Sequence, residues 1–333
     1  MKRYLLIFAA AGLLFTSCKK ADYQKILHDP TLYSRTVFAL NDVVMGNNFS
    51  PPVASRNYAY ACVAGYEVIA AGDPEHYKSL VGQLNGFKEV AKPGKDEAID
   101  YEYASLLAFC RVGEAVTFPE GSLKFYTDSL HKIAVDHGMP SDMMTNSENF
   151  AKDVATSILT WSKGDNYSQT RTMSKFAIND SAWRWVPTPP GYFEAVEPHW
   201  GEIRTMVMSN AKQYKVPPPP VFNITDKNSF YYKEVMYIKN TGYSLTKDQI
   251  HNADFWDDNP KKMNVSGHVM FITKKFSPPG HWLSIVGIGA QKVHADFNTT
   301  VCADAKTASA LFDGFIESWA AKYVYKTVRP ETI

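Results

Sequence analysis

Cysteine is scarce in this chain: four in 333 residues, at Cys18, Cys62, Cys110 and Cys302. No C-x2-C or H-E-x2-H pattern occurs, which excludes the common zinc sites and leaves no metal ligand set to name. If Cys18 has another use, an odd number remains and the thiols cannot all pair internally. Their apolar, helix-like surroundings point to buried free thiols, with a Cys62–Cys110 disulfide as the alternative. A surplus of one charge is also absent, with 35 Lys and Arg against 34 Asp and Glu, a net charge of +1. That balance excludes a general nucleic-acid binder, which needs a basic face, while leaving room for a small cationic pocket. No apolar run is long enough to span a bilayer permanently; the N-terminal one covers only Tyr4 to Phe15. Convincing stretches of alternating polarity are missing too, so strands are not expected, and no internal repeat is evident.

Apolar residues make up 45% of the chain and aromatics 14%. This is ample for one large core or two modest ones and excludes wholesale disorder. Lys2 and Arg3, the apolar run and Thr16-Ser17-Cys18 resemble a bacterial lipoprotein signal, with Cys18 the lipidated first residue of the mature chain. An ordinary secretory signal is the alternative. Loss of Lys2 and Arg3 would take the net charge from +1 to −1. The expected organisation is a signal over 1–17, a tether over 18–30 and a helical domain over 31–333.

Helix signals dominate that domain. Three- and four-residue spacing of apolar side chains predicts helices over Leu32 to Val44, Ala54 to Ala71, Asp96 to Val112, Pro119 to His137 and Asn149 to Trp161. Asp73-Pro74 reads as the cap and first turn of another, ending near Gly86. From Lys163 to Pro220 the chain turns rich in Pro, Trp, Tyr and Gly, and reads as a long loop excursion packed by its own aromatics. Beyond it, Thr246 caps a helix running to Trp256, and further helices cover His281 to Ala295 and Asp304 to Val328. The last carries a stripe of Ala308, Phe312, Phe315, Trp319 and Tyr323.

Lys322 and Arg329 stand seven apart near the end of that last helix. On a helix continuing to Val328 both leave one face, ~10 Å apart along the axis. Such a pair can close on one tetrahedral oxyanion, with Arg supplying a planar fork and Lys a point charge. Pro330 ends the helix at Arg329. The plain alternative is two solvated cations at a helix C-terminus. Lys326 could share the face and is read as surface.

The spacing K-x6-R-P resembles the first of three oxyanion-site motifs in the vanadium-dependent haloperoxidases and their relatives, the type 2 phosphatidic acid phosphatases. Pro51 to Arg56, Trp185 to Pro190 with Pro198 to Gly201, and Phe255-Trp256 with Pro278 to Trp282 resemble segments of the bacterial haloperoxidases, in the same order. The resemblance implies a mainly α, helical-bundle fold and a vanadate or phosphate partner held by Lys322 and Arg329. It also implies two later motifs, P-S-G-H and S-R-x5-H, which carry the acid–base and the metal-coordinating or nucleophilic histidines. Neither follows Pro330 here. Ser266-Gly267-His268 does not substitute for them, because Val265 stands in place of Pro and the segment precedes K-x6-R-P; it reads as a turn. His281 reads as holding a helix start, His199 as packed among aromatics and His251 as exposed. The expectation is therefore a haloperoxidase- or acid phosphatase-like envelope protein, inactive as this chain. A non-enzymatic lipoprotein using residues 163–220 as a contact surface is the alternative.

The lipid anchor is directly testable. The wild-type protein should fractionate with membranes through Cys18, and Cys18→Ala should release it. A wild-type protein recovered wholly in the soluble fraction would rule the anchor out.

Overall fold

The computed structural model describes residues 22–333 apart from 215 and 261. The signal, Cys18 and the first part of the tether, 18–21, lie outside the described residues. The chain is already folded before residue 31. Helix α1 (Tyr23–Leu27) buries Tyr23 and Leu27, and the N–H groups of Asp22 and Tyr23 donate to the His137 carbonyl at 3.1 and 3.2 Å. Two apolar side chains four apart fix this segment to the bundle, so the tether ends earlier than 30.

Five longer helices build the first part of the bundle: α2 (Pro30–Gly46), α3 (Pro51–Gly72), α4 (Tyr101–Ala115), α5 (Lys124–Asp136) and α6 (Ser141–Ser162). Their starts follow local chemistry. Asp29 accepts from the Thr31 N–H at 2.8 Å ahead of Pro30, and Asp100 accepts from the Tyr103 N–H at 2.9 Å. Helix α3 is the axis of the fold, with every residue from Pro52 to Ala70 buried. A helix buried on all sides must be enclosed by others. It packs on α4 on one side and on the last helix on the other. Gly65 lets both α2 and α4 come close, since a Cβ there would stand 2.9 Å from the Tyr33 hydroxyl of α2 and 3.2 Å from Ser105 Oγ of α4.

Residues 73–86 form turns instead of the expected helix. Glu67 on α3 explains the choice. Its carboxylate accepts from the Ser79 hydroxyl at 2.7 Å and the Leu80 N–H at 2.6 Å, binding the segment across α3. Gly82 and Gly86 also adopt positive φ. The thiols Cys62 and Cys110 are buried and free, and Cys302 is half-buried and free, so the alternative disulfide is not formed.

After the short helix α7 (Tyr167–Thr170), the aromatic excursion runs without long elements to Pro220, with one 3-10 turn at Trp200–Glu202. Trp200, Ile203 and Met206 belong to the main core. Helices α8 (Phe230–Tyr243) and α9 (Lys247–Phe255) follow, the second opened by a Thr246–Gln249 capping box. An unexpected antiparallel hairpin comes next, β1 (Lys262–Ser266) and β2 (Val269–Thr273), turning at Gly267-His268. The segment 266–268 is thus a turn as read, but it joins strands. Helix α10 (Pro278–Lys292) starts earlier than expected, because Ser277 caps it. Helix α11 (Phe297–Tyr325) closes the bundle against α3 and α10.

Arg56 ties α3 to the excursion. Its Nε donates to Asp165 Oδ2 at 2.7 Å, and the Tyr60 hydroxyl reaches the same oxygen at 2.9 Å. The guanidinium also lies over the rings of Tyr60 and Tyr167 at 4.9 and 4.4 Å. Breaking a buried pair leaves an uncompensated charge. Arg56→Met should therefore destabilise the fold by about 3–5 kcal/mol in urea denaturation. Lys124→Met, which removes an exposed pair with Asp128, should shift stability by less than ~1 kcal/mol.

Candidate functional site

The site is built where α11 ends. The helix stops at Tyr325, and Lys326 takes a left-handed conformation at φ 52°, ψ 37°. The chain then pairs with the excursion. The Trp185 N–H donates to the Lys326 carbonyl at 2.9 Å, and the Val328 N–H to the Trp183 carbonyl at 3.0 Å. Thr327 bridges to Arg184, whose Nη1 donates to the Tyr325 carbonyl at 3.0 Å. These bonds satisfy end-of-helix groups that a further turn would otherwise use. Arg329 is extended, at φ −86°, ψ 149°. The expectation of a shared helical face for Lys322 and Arg329 is therefore corrected: the helix ends before it reaches Arg329.

The two residues nonetheless come together across the turn. Lys322, Lys326 and Arg329 all line one cleft of about 650 Å³. Lys326, read as surface from the sequence, is the third cation of this cleft. Lys322 Nζ lies 4.7 Å from the centre of the Trp319 ring and Lys326 Nζ 5.6 Å from that of Phe176. Loss of water around its ammonium, and then the charge of Arg329, draw the Lys322 pKa below the ordinary lysine value. The acids of the cleft are engaged elsewhere. Glu197 pairs with Arg171 and accepts from the Ser50 hydroxyl at 3.1 Å, and Glu194 pairs with Lys175 at 3.0 Å. Arg329 Nε is 3.1 Å from Glu331 in an exposed pair. Among the described residues no acid lies within ion-pair distance of Lys322 or Lys326.

The opposite wall comes from the excursion and is held firmly to α11. The Val196 carbonyl accepts from both Trp319 Nε1 at 2.9 Å and the Tyr323 hydroxyl at 2.5 Å. Burial, and then Glu197, raise the Tyr323 pKa, so its hydroxyl stays a donor. Asp313 on α11 accepts from the N–H groups of Met206, Val207 and Met208 at 2.5, 2.8 and 2.9 Å. Gly201 lets the backbones meet, since a Cβ there would stand 2.8 Å from that of Ala320.

No histidine lines this cleft among the described residues. His199 borders a neighbouring depression of about 400 Å³. Its Nε2–H donates to the Ser174 carbonyl at 2.8 Å and Nδ1 meets Glu202 at 2.8 Å, and these two bonds, in that order, raise its pKa. His281 pairs with Asp258 at 2.7 Å and stacks on Trp256, which fits its role at a helix start. His251 and His268 are exposed. Among the described residues one cluster, His28, Asp100 and Glu102, brings ligand atoms within 4.8 Å of one another. Asp100 is already the cap of α4, and His28 pairs with it at 2.8 Å.

No protein-family model and no curated protein matches the chain. Among solved structures, the crystal structure described as the first bacterial vanadium-dependent iodoperoxidase is similar. It is 36% identical, with a TM-score of 0.83, and the match covers 91% of this chain and 71% of that one.

The Lys322 environment has a pH consequence. An anion stabilises the charged ammonium, so affinity is full while Lys322 is protonated and falls as pH rises through its pKa. Because that pKa is lowered from 10.5, binding of inorganic phosphate should weaken below the pH at which an ordinary lysine titrates. Lys322→Arg should move the fall to higher pH in calorimetric titrations. An unchanged profile would exclude Lys322 from the anion's contacts.

Proposed function

The chain belongs to the vanadium-dependent haloperoxidase superfamily, and from that membership we propose a haloperoxidase-like protein of the cell envelope that binds vanadate or phosphate at Lys322, Lys326 and Arg329. One observation carries the proposal. These cations share a cleft whose own acids, Glu194 and Glu197, are neutralised by Lys175 and Arg171 outside it. The net field inside therefore favours an anion.

The donor set fits the charge of a tetrahedral oxyanion. Arg329 offers a planar fork from the extended segment, Lys322 a point charge from the last turn of α11, and Lys326 a second from the turn. Vanadate, when bound, would supply oxidation of a halide by peroxide, the chemistry of the superfamily. The chain's own part is to hold the anion and to keep one side of the cleft dry with Trp319, Phe176 and Tyr323. A vanadium–nitrogen bond and a proton relay both call for imidazole, and no described histidine lines the cleft. The proposal is therefore reversible anion binding without turnover by these 333 residues. Lipidation at Cys18 would place this activity at the membrane surface.

Titration of phosphate and vanadate into the chain tests the proposal. Lys322→Ala and Arg329→Ala should each weaken binding by about tenfold, near 1.4 kcal/mol, and added salt should weaken it further. The same samples should brominate no acceptor and hydrolyse no phosphomonoester above background. Binding indifferent to both substitutions would overturn the site. Robust turnover would overturn the inactivity and make His199 the first residue to replace.

A further inference from the structure

The cleft is larger and more aromatic than a bare oxyanion requires. At about 650 Å³ it falls within the ~300–1,000 Å³ of pockets that enclose organic ligands. Phe176, Trp185, Phe193, Trp319 and Tyr323 all line it together with the cations. Resting on the oxyanion reading above, we propose that the cleft is a site for aryl anions. A planar aromatic ring lies among Phe176, Phe193 and Trp319, and its phosphate or carboxylate group meets Lys322, Lys326 and Arg329.

The arrangement of charge and ring carries this. Each lysine ammonium lies over an aromatic face, Lys322 over Trp319 at 4.7 Å and Lys326 over Phe176 at 5.6 Å. Charge and π-surface thus adjoin along one wall. An anion drawn to the lysines brings any group attached to it against those rings. The rings are positioned before a ligand arrives. Phe176 packs edge-on against Trp185 at 5.7 Å and against Tyr323 at 5.6 Å. The polar ends of Trp319 and Tyr323 are both consumed by the Val196 carbonyl, so what remains for the ligand is apolar ring surface. Phe193 is 41% exposed, free to cover a ring from the side open to solvent. An aliphatic anion would use the cations and waste the rings; a neutral arene would do the reverse.

Fluorescence of Trp185 and Trp319, supported by calorimetry, can compare phenyl phosphate, inorganic phosphate and phenol on the full chain. Phenyl phosphate should bind about tenfold more tightly than inorganic phosphate, the scale of one aromatic contact, and more tightly still than phenol. Phe193→Ala, at an exposed position, should reduce that preference to about two- or threefold while inorganic phosphate binds as before. Phe176→Leu, beneath Lys326, should reduce the preference likewise, with a smaller loss of inorganic phosphate binding. Lys322→Ala should weaken both anions together. Equal affinity for the two anions in the wild-type protein, or a preference that survives both phenylalanine variants, overturns the aryl-anion site and leaves the oxyanion site standing. Failure of either anion to bind in a Lys322-dependent way overturns the oxyanion reading and this inference with it.

Discussion

The carboxylate of Asp313 is the clamp on which the described architecture turns. It is buried on α11 and accepts three successive backbone N–H groups, those of Met206, Val207 and Met208. A loop buried without such a partner would leave its donors unsatisfied at a cost of ~1–3 kcal/mol each. With it, an excursion of more than fifty residues that has almost no regular structure docks on the last helix as firmly as a helix would. Gly201 removes the side chain that would hold the two backbones apart, and the core accepts Trp200 and Met206 behind it. Elsewhere along the same helix and just beyond it, Trp319 and Tyr323 hold the Val196 carbonyl, and residues 183–185 pair with 326–328.

The cleft at the end of the same helix carries an uneven distribution of charge. Two lysines and an arginine line a cleft with aromatic rings, while Glu197 and Glu194 are drawn outward by Arg171 and Lys175, and Arg329 meets Glu331 in an exposed pair. Rings beside ammonium groups lower the cost of partial desolvation, and the depressed Lys322 pKa records what cost remains. Among the described residues the cleft thus presents cations and aromatic rings together, with no imidazole in its lining.

The elements that could be read from residues alone are those with local causes. Apolar spacing placed α2 to α6, and Thr246 marked the start of α9 through its capping box. Where a distant group intervened, local reading failed. Residues 73–86 looked helical because Asp73-Pro74 is a good helix opening, but Glu67 binds Ser79 and Leu80 instead. The hairpin 262–273 was missed because every residue of β2 is exposed, so neither strand shows the alternation that burial of one face imposes.

The sequence by itself determined the mainly α class, the order of the family-like segments and the two residues, Lys322 and Arg329, that the oxyanion site would need. Those depend on side-chain identity and spacing, which are properties of the chain. Tertiary structure alone decided how those residues meet. A helix continuing to Val328 was sterically allowed by every residue in it. It ends at Tyr325 because Trp183 and Trp185, from a segment far earlier in the chain, offer the backbone partners that stop it. The same turn swings Lys326 into the cleft and converts a pair of cations on one helix into three around a cavity, an outcome no periodicity encodes.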